Sequence, residues 1–331
     1  MKIFTILLLG YGNIGKRHLE SILNSKFKAK IEITIIDNDS KKLKDIKNNS
    51  KLSNFDNFEI NSHKKLYLKN NKYNLCIIAT NSSERLHLLR KISHIKFDTV
   101  IIEKLIADNL KNLNKIEKVI KKSSFKKVYI NTPRRYMDVY KNIKKDLNLS
   151  KPLSIFYTAT NFKLASNSIH IIDLFQFFIG DKNIKCIFCQ INKIVKSKKK
   201  YSEFEGILIF SDKNNNTLYI NNAKQNVTYR TSFGGVKILN YPKSFIFNEA
   251  SGDILEIKEN LQNSKIKYIR KHGKFALQSE MTKNYVEDLM KNKNLNLPTF
   301  DLSCESHKIY YQALYRALLK KNINLNSLKI T

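Results

Sequence analysis

A chain of 331 residues is too long for one comfortable core, so two domains are expected. Its hydrophobic fraction of 42% fits a folded globular body, and no apolar run approaches the ~18 residues of a membrane span. The formal charge of +32 is spread along the chain beside abundant Asn and Ile, and no helix–turn–helix, RNP or zinc pattern accompanies it, which argues against a specific nucleic-acid partner.

Ile3–Leu9 is a short continuous apolar run, the pattern of a parallel strand buried on both faces. With no small-residue cleavage site after it, this run reads as a first strand rather than a leader. Gly10–Gly15 follows, then a helix through about Asn24. Ile31–Ile36 is a second buried strand ending at Asp37, and Asp39 or Ser40 can cap the next helix around Lys41–Lys47. Leu75–Ala79 and Thr99–Ile102 are further apolar runs, each followed by a helical pattern. The helix over about Leu110–Lys121 carries a 3.6-period apolar stripe, and Val128–Ile130 is one more strand. This alternation argues a doubly wound parallel sheet of the Rossmann type over residues 1–132.

After Pro133 the character changes to an α+β domain, 133–331. A helical segment near Tyr136–Leu147 precedes an alternating strand, Leu153–Phe162, and a helix over Asn167–Phe178 that stops at Gly180. Short strands at 184–192, 204–211, 216–222, 226–233, 235–239, 244–248, 253–258 and 265–270 then read as an open, mostly antiparallel sheet. Two helices, about 276–291 and 303–321, close the chain.

Cys76, Cys186, Cys189 and Cys304 are too few and too scattered for a disulfide framework, which fits a reducing, cytoplasmic location. Cys186 and Cys189 lie three apart in a strand-like run, so they point to opposite faces and suit one metal poorly. His63, His94, His272 and His307 lack ligand spacing, and no metal site is expected. The basic run Lys196–Lys200 reads as a solvated loop.

Gly10-Tyr11-Gly12-Asn13-Ile14-Gly15 is a G-x-G-x-x-G that follows a buried strand and opens a helix. An acid, Asp37, stands at the end of the next strand. Gly10 permits the tight turn, Gly12 lets a pyrophosphate approach the backbone, and Gly15 allows close helix–strand packing. The phosphates would meet the helix N-terminus at Asn13 and Ile14, where free N–H groups and the dipole favour anions. Asp37 would accept hydrogen bonds from the adenosine ribose and repel a 2′-phosphate, so NAD is expected over NADP.

Other segments carry a pattern of their own. His18 follows the glycines, and Ile77-Ile78-Ala79-Thr80-Asn81 and Ile102-Glu103-Lys104-Leu105 each end a strand. Pro133-Arg134-Arg135-Tyr136 stands at the crossing, and His170-Ile171-Ile172-Asp173 leads to Gly180. In that order they resemble the Gfo/Idh/MocA oxidoreductase family. Its A-T-P motif has Asn81 in the proline's place here, and its E-K-P motif has Leu105. The resemblance implies that Thr80, Asn81, Glu103 and Lys104 lie on the nicotinamide side of the cofactor. It implies Lys104 and His170 as acid/base groups, and Arg135, Ser166 and Asp173 beside the substrate. Many members carry an aspartate where this chain has Ser166, and a serine cannot act as a base near pH 7. On the helix, His170 and Asp173 are i, i+3 and share a face, while Ile169, Ile172, Phe175 and Ile179 form an apolar one. His18 either contacts the cofactor or packs and caps.

The function implied is an NAD(H)-dependent oxidoreductase acting on a hydroxyl or keto group of a sugar or nucleotide-activated sugar, in a cleft at the sheet's carboxyl edge. Two alternatives stay open. One is an epimerase or lyase that oxidises its substrate transiently, and the other is a dinucleotide-binding pseudoenzyme. The resemblance also implies a homo-oligomer, dimer or tetramer, formed through the open sheet.

Overall fold

β1 (Phe4–Leu9) and β2 (Ile31–Ile36) are built from the apolar runs read in the sequence, and Ile6, Leu7, Leu8, Ile31, Ile33 and Ile35 are fully enclosed. The computed structural model describes residues 3–24, 29–47, 57–66, 72–160, 162–180, 183–196, 201–223, 234–260, 262–324, 328 and 330. Two compact units divide the chain: Met1–Ala107 with Lys111–Pro133 and Ala276–Asp301, and Asp108–Leu110 with Arg134–Phe275 and Leu302–Thr331.

The first unit holds a six-stranded parallel sheet. To β1 and β2 it adds β3 (Phe58–His63), β4 (Lys72–Ile78), β5 (Lys96–Glu103) and β6 (Val128–Asn131), in the order β3-β2-β1-β4-β5-β6. Two mononucleotide-binding halves meet where the order reverses, between β1 and β4. Helices α1 (Asn13–Leu23), α2 (Ser40–Lys47), α3 (Arg85–Ile92) and α4 (Leu110–Lys121) connect the strands. The sequence reading did not contain β3. Phe58-Glu-Ile-Asn-Ser-His has no buried residue, and its edge position in register with β2 makes it a strand.

The last part of this unit comes from far along the chain. The segment Ala276–Asp301, read from sequence as part of the second domain, returns to the first unit. Its helix, Gln278–Met290, packs on α1, with Lys283 N–H donating to Ser21 Oγ at 3.0 Å. Beyond it, Ile130 N–H donates to the Pro298 carbonyl at 3.0 Å.

The second unit holds a mixed, mostly antiparallel sheet of eight strands. After α5 (Asp138–Asp146) come β7 (Ser154–Thr160) and α6 (Leu164–Phe178). Next are β8 (Lys185–Lys196), β9 (Ser202–Ser211), β10 (Thr217–Ala223), β11 (Gly235–Asn240), β12 (Lys243–Asn248), β13 (Asp253–Glu259) and β14 (Ile266–His272). The order is β14-β13-β12-β11-β7-β10-β9-β8, with β7 and β10 as the one parallel pair among them. Alternation along β7 sends Ile155, Tyr157 and Ala159 inward and Phe156 and Thr158 outward, as a one-face-buried strand requires. The helix Gln278–Met290 named above is α7, and α8 (Phe300–Leu319) ends the described helices. Tyr310 of α8 donates its hydroxyl to the Leu164 and Ala165 carbonyls at the start of α6. The strand expected at 226–233 and the core of the lysine run, Lys198–Lys200, lie outside the described residues.

Cys186 and Cys189 are both half-buried free thiols, and burial pushes them up to about 11 and about 12 respectively. Protonated thiols are poor nucleophiles and poor metal ligands. Among the described residues no group of three or more His, Cys, Asp or Glu could hold a metal ion, and no helix is long and apolar enough to cross a membrane.

Candidate functional site

In the first unit the glycine turn connects β1 to α1. Gly10 N–H donates to the Ile36 carbonyl at 2.8 Å, and Gly10 adopts φ +96°, in the left-handed region. A Cβ on Gly10 would sit 2.9 Å from Ala79 C and Thr80 N, and one on Gly15 would sit 2.0 Å from the Gly10 carbonyl oxygen. Gly12 is different: a Cβ there would meet nothing within 4 Å. Gly12 also N-caps α1, and as a glycine it puts no side chain of its own over the first-turn amides. Two glycines close the backbone together and the third leaves open space at a helix N-terminus, which is the cradle a pyrophosphate fits.

Asp37 lies at the end of β2, facing this turn. Its carboxylate accepts the Tyr11 N–H at 2.6 Å and the Asp39 N–H at 2.9 Å, and Lys42 Nζ lies 3.3 Å away. Lys42 Nζ also reaches the second carboxylate oxygen, at 3.4 Å.

The other half of the sheet ends in Thr80, Glu103–Leu105 and Asn131. Thr80 Oγ1 is buried without a hydrogen-bond partner among the described residues, and Asn81 is exposed. Glu103 is buried and lies 2.9 Å from His18 Nε2, and its carboxylate also accepts from Asn131 Nδ2. His18 Nδ1 is hydrogen-bonded to Thr282 of α7 at 2.8 Å, and Tyr285 of α7 donates to Asn131 Oδ1 at 3.2 Å. His18, fully enclosed, therefore joins α1, β5 and α7. Of the two roles the sequence leaves open for it, packing is the one built here. Lys104, just past the carboxyl end of β5, is half-buried and is the one residue between Ile101 and Ala107 that is not buried.

In the second unit α6 is enclosed along its length except at Asn167 and His170, which are i, i+3 and form its one open strip. Ser166 is buried at the start of this helix. Its N–H donates to Glu203 Oε2 at 3.2 Å, and its hydroxyl donates to Glu203 Oε1. Arg135 and Asp173 form a bidentate pair, Nε–Oδ2 at 3.0 Å and Nη2–Oδ1 at 2.6 Å, with side chains 4% and 5% exposed. Arg134 makes a second such pair with Glu249, at 2.8 and 3.0 Å. Glu249 also accepts from the hydroxyls of Tyr140 and Tyr157 and from Gly234 N–H.

Comparison with known proteins decides what the first unit is. Residues 4–131 match the family model of the Gfo/Idh/MocA proteins, described as "Oxidoreductase family, NAD-binding Rossmann fold". The match spans the strands of the parallel sheet, stops before the second sheet, and describes an NAD-binding Rossmann fold. Solved structures extend the likeness of fold over the whole chain. An oxidoreductase from Agrobacterium radiobacter in complex with NAD+, L-tartaric acid and magnesium has a TM-score of 0.72 at 11% identity, with 98% of this chain and 99% of that one covered. Levoglucosan dehydrogenase in its apo form has a TM-score of 0.71 at 12% identity, with 97% and 98% covered. The WlbA dehydrogenase from Bordetella pertussis in complex with NADH and UDP-GlcNAcA has a TM-score of 0.69 at 11% identity, with 100% and 98% covered. Comparison with curated protein sequences gives no significant match.

Arg135 and Asp173, which the resemblance places beside the substrate, are enclosed and form an ion pair with each other in the second unit. On the face that His170 and Asp173 share, His170 is half-buried and Asp173 is 3% exposed. Ser166 is likewise enclosed, tied to Glu203. Sequence reasoning missed the buried Arg85 and Glu249 and the half-buried Glu203, which hold loops and helix starts by hydrogen bonds. In a chain with 60 Lys and Arg, nothing in the sequence distinguishes a buried arginine from a solvated one.

The glycines separate cofactor binding from folding. Gly12→Ala is expected to leave the melting temperature unchanged and weaken NADH binding at least roughly tenfold, because its Cβ enters only the open cradle. Gly15→Ala drives a Cβ into backbone and is expected to destabilise the fold by about 2–3 kcal/mol. Thermal scans and NADH titrations of both variants check this, and equal stability losses would contradict it.

Glu103 adds a pH dependence. Burial pushes its carboxyl up, but the hydrogen bond and charge of His18, the Asn131 amide and the nearby Arg85 charge together hold it below the ordinary carboxylate range. A carboxyl more acidic in the folded than in the unfolded chain stabilises the fold above its unfolded value of ~4.3. That contribution is lost as pH falls through the lowered folded value. The stability gap between wild type and Glu103→Gln should therefore shrink on acidification. A gap independent of pH in denaturant titrations would refute this reading.

Proposed function

We propose that this oxidoreductase is an NAD(H)-dependent enzyme acting on a hydroxyl or keto group of a sugar or nucleotide-activated sugar, with Lys104 and His170 as its acid/base groups. The observation that carries the reading is the carboxyl edge of the parallel sheet. There the open Gly12 cradle, Asp37 and the half-buried Lys104 lie on one sheet edge, where ligands of this fold bind. Bound NAD supplies hydride acceptance at nicotinamide C4, and NADH the reverse.

The protein's own residues do the rest. Asn13 and Ile14 offer first-turn amides to the pyrophosphate, Asp37 accepts from the adenosine ribose, and Thr80, Asn81 and Glu103 border the nicotinamide side. Lys104 takes the hydroxyl proton when the alcohol is oxidised and returns it to the oxygen in the reverse direction. His170, on the open strip of α6, is the second proton-handling group. Lys42 beside Asp37 balances that carboxylate without replacing it, and NAD is preferred over NADP.

Sugar chemistry comes first because two of the matched structures carry a sugar in their names or ligands, levoglucosan and UDP-GlcNAcA. The strongly basic chain would also steer anionic, nucleotide-linked substrates by long-range attraction. The test is turnover followed as NADH absorbance across pyranoses, sugar acids and nucleotide-activated sugars. NADH formation that depends on one sugar class supports the proposal. Tight NADH binding with no turnover on any of these classes would favour the pseudoenzyme alternative.

A further inference from the structure

Arg85 opens α3, just beyond the end of β4, and is 2% exposed. A guanidinium that deep needs partners, and backbone carbonyls supply them: Nε and Nη2 donate to Thr80 O at 3.2 and 2.7 Å, and Nη1 donates to Glu103 O and Leu105 O. These carbonyls belong to two separate loops, one after β4 and one after β5. A planar fork with fixed donor directions holds two loops in one relative position, which a flexible ammonium cannot do.

What lies between the held atoms gives this bracket its meaning. Lys104 sits between the two pinned carbonyls of Glu103 and Leu105, and it is the one residue of that stretch that is not buried. In a Rossmann sheet each half takes one mononucleotide. The half made of β1–β3 carries the glycine turn and Asp37. The other half ends in the loops that Arg85 ties together.

We infer that Arg85 is the positioning residue of the nicotinamide half-site, fixing the Thr80 loop against the Lys104 loop while leaving the adenosine half-site untouched. The inference rests on the cofactor placement proposed above. It touches neither cofactor nor substrate, so Arg85 acts through Thr80, Glu103 and Lys104.

Two ligands separate this role from plain support of the fold. ADP-ribose carries the adenosine, both phosphates and a ribose but lacks the nicotinamide ring, so it reports on the first half-site alone. Calorimetric titration of wild type, Arg85→Met and Arg85→Lys with NADH and with ADP-ribose is the experiment. For Arg85→Met the expected result is NADH binding weakened about tenfold or more with ADP-ribose binding within about twofold of wild type, and Arg85→Lys in between. Equal weakening of both ligands, or unchanged NADH binding, overturns the inference. If Arg85→Met does not fold, Arg85→Lys decides by the same comparison, with a NADH-selective loss expected and an equal loss overturning it. Failure of wild type itself to bind NADH and ADP-ribose overturns the cofactor placement, and is told apart because it appears before any variant is made.

Discussion

Replacing Glu249 by alanine is expected to destabilise the second unit by about 3–5 kcal/mol, the largest stability effect of any single substitution outside the hydrophobic core. Four elements meet on this carboxylate. Arg134 comes from the turn after β6, Tyr140 from α5, Tyr157 from β7 and the Gly234 amide from the start of β11. Its side chain has no exposed surface. Burial pushes the carboxyl up, but the charge and hydrogen bonds of Arg134 with the Tyr140 hydroxyl hold it below the ordinary range, so it stays ionised. Removing it takes from an enclosed guanidinium the carboxylate that it pairs with, and that penalty exceeds the worth of the pair itself. The double variant Arg134→Met, Glu249→Leu should be less harmful than Glu249→Ala alone, because it removes both charges. Denaturant titrations of the two would decide. A loss under about 1 kcal/mol for Glu249→Ala would mean the network is ornamental.

The largest effect on activity belongs to Lys104. With Lys104→Ala, NADH binding should stay within a few-fold of wild type while turnover falls by about 10²–10⁴-fold, the range for losing a positioned acid/base group. Glu103 remains buried in its own network in this variant, so the neighbouring loop keeps its anchor. A variant with unchanged turnover would remove Lys104 from the mechanism. Lost NADH binding would make it a cofactor-holding residue only.

How much of this was legible in the sequence depended on whether the signal was local. β1, the glycine turn, α1 and β2 with Asp37 could be read because a continuous apolar run, a glycine spacing and an acid at a strand end each have one physical meaning. Most of the strands in the second sheet were likewise visible as short alternating runs between turn residues. β3 was not, since Phe58–His63 has no buried residue and takes its conformation from pairing with β2. The return of α7 to the first unit was also hidden: an amphipathic helix states that one face is buried, not which core buries it. The same limit applied to charge. Arg85, Arg134, Arg135, Glu203 and Glu249 are unremarkable in sequence, and only their long-range partners, such as Arg134 with Glu249 and Arg135 with Asp173, give them roles. For the same reason the helical spacing of His170 and Asp173 showed a shared face but not that Asp173 is paired with Arg135 within the fold.

The most direct test is a calorimetric titration of the folded, cofactor-free protein with NADH and, separately, NADPH. Tight NADH binding with NADPH at least about tenfold weaker is the result the glycine cradle and Asp37 predict, since the carboxylate repels a 2′-phosphate. No binding of either dinucleotide would contradict the account at its root, leaving a parallel sheet with a glycine turn but no cofactor to position.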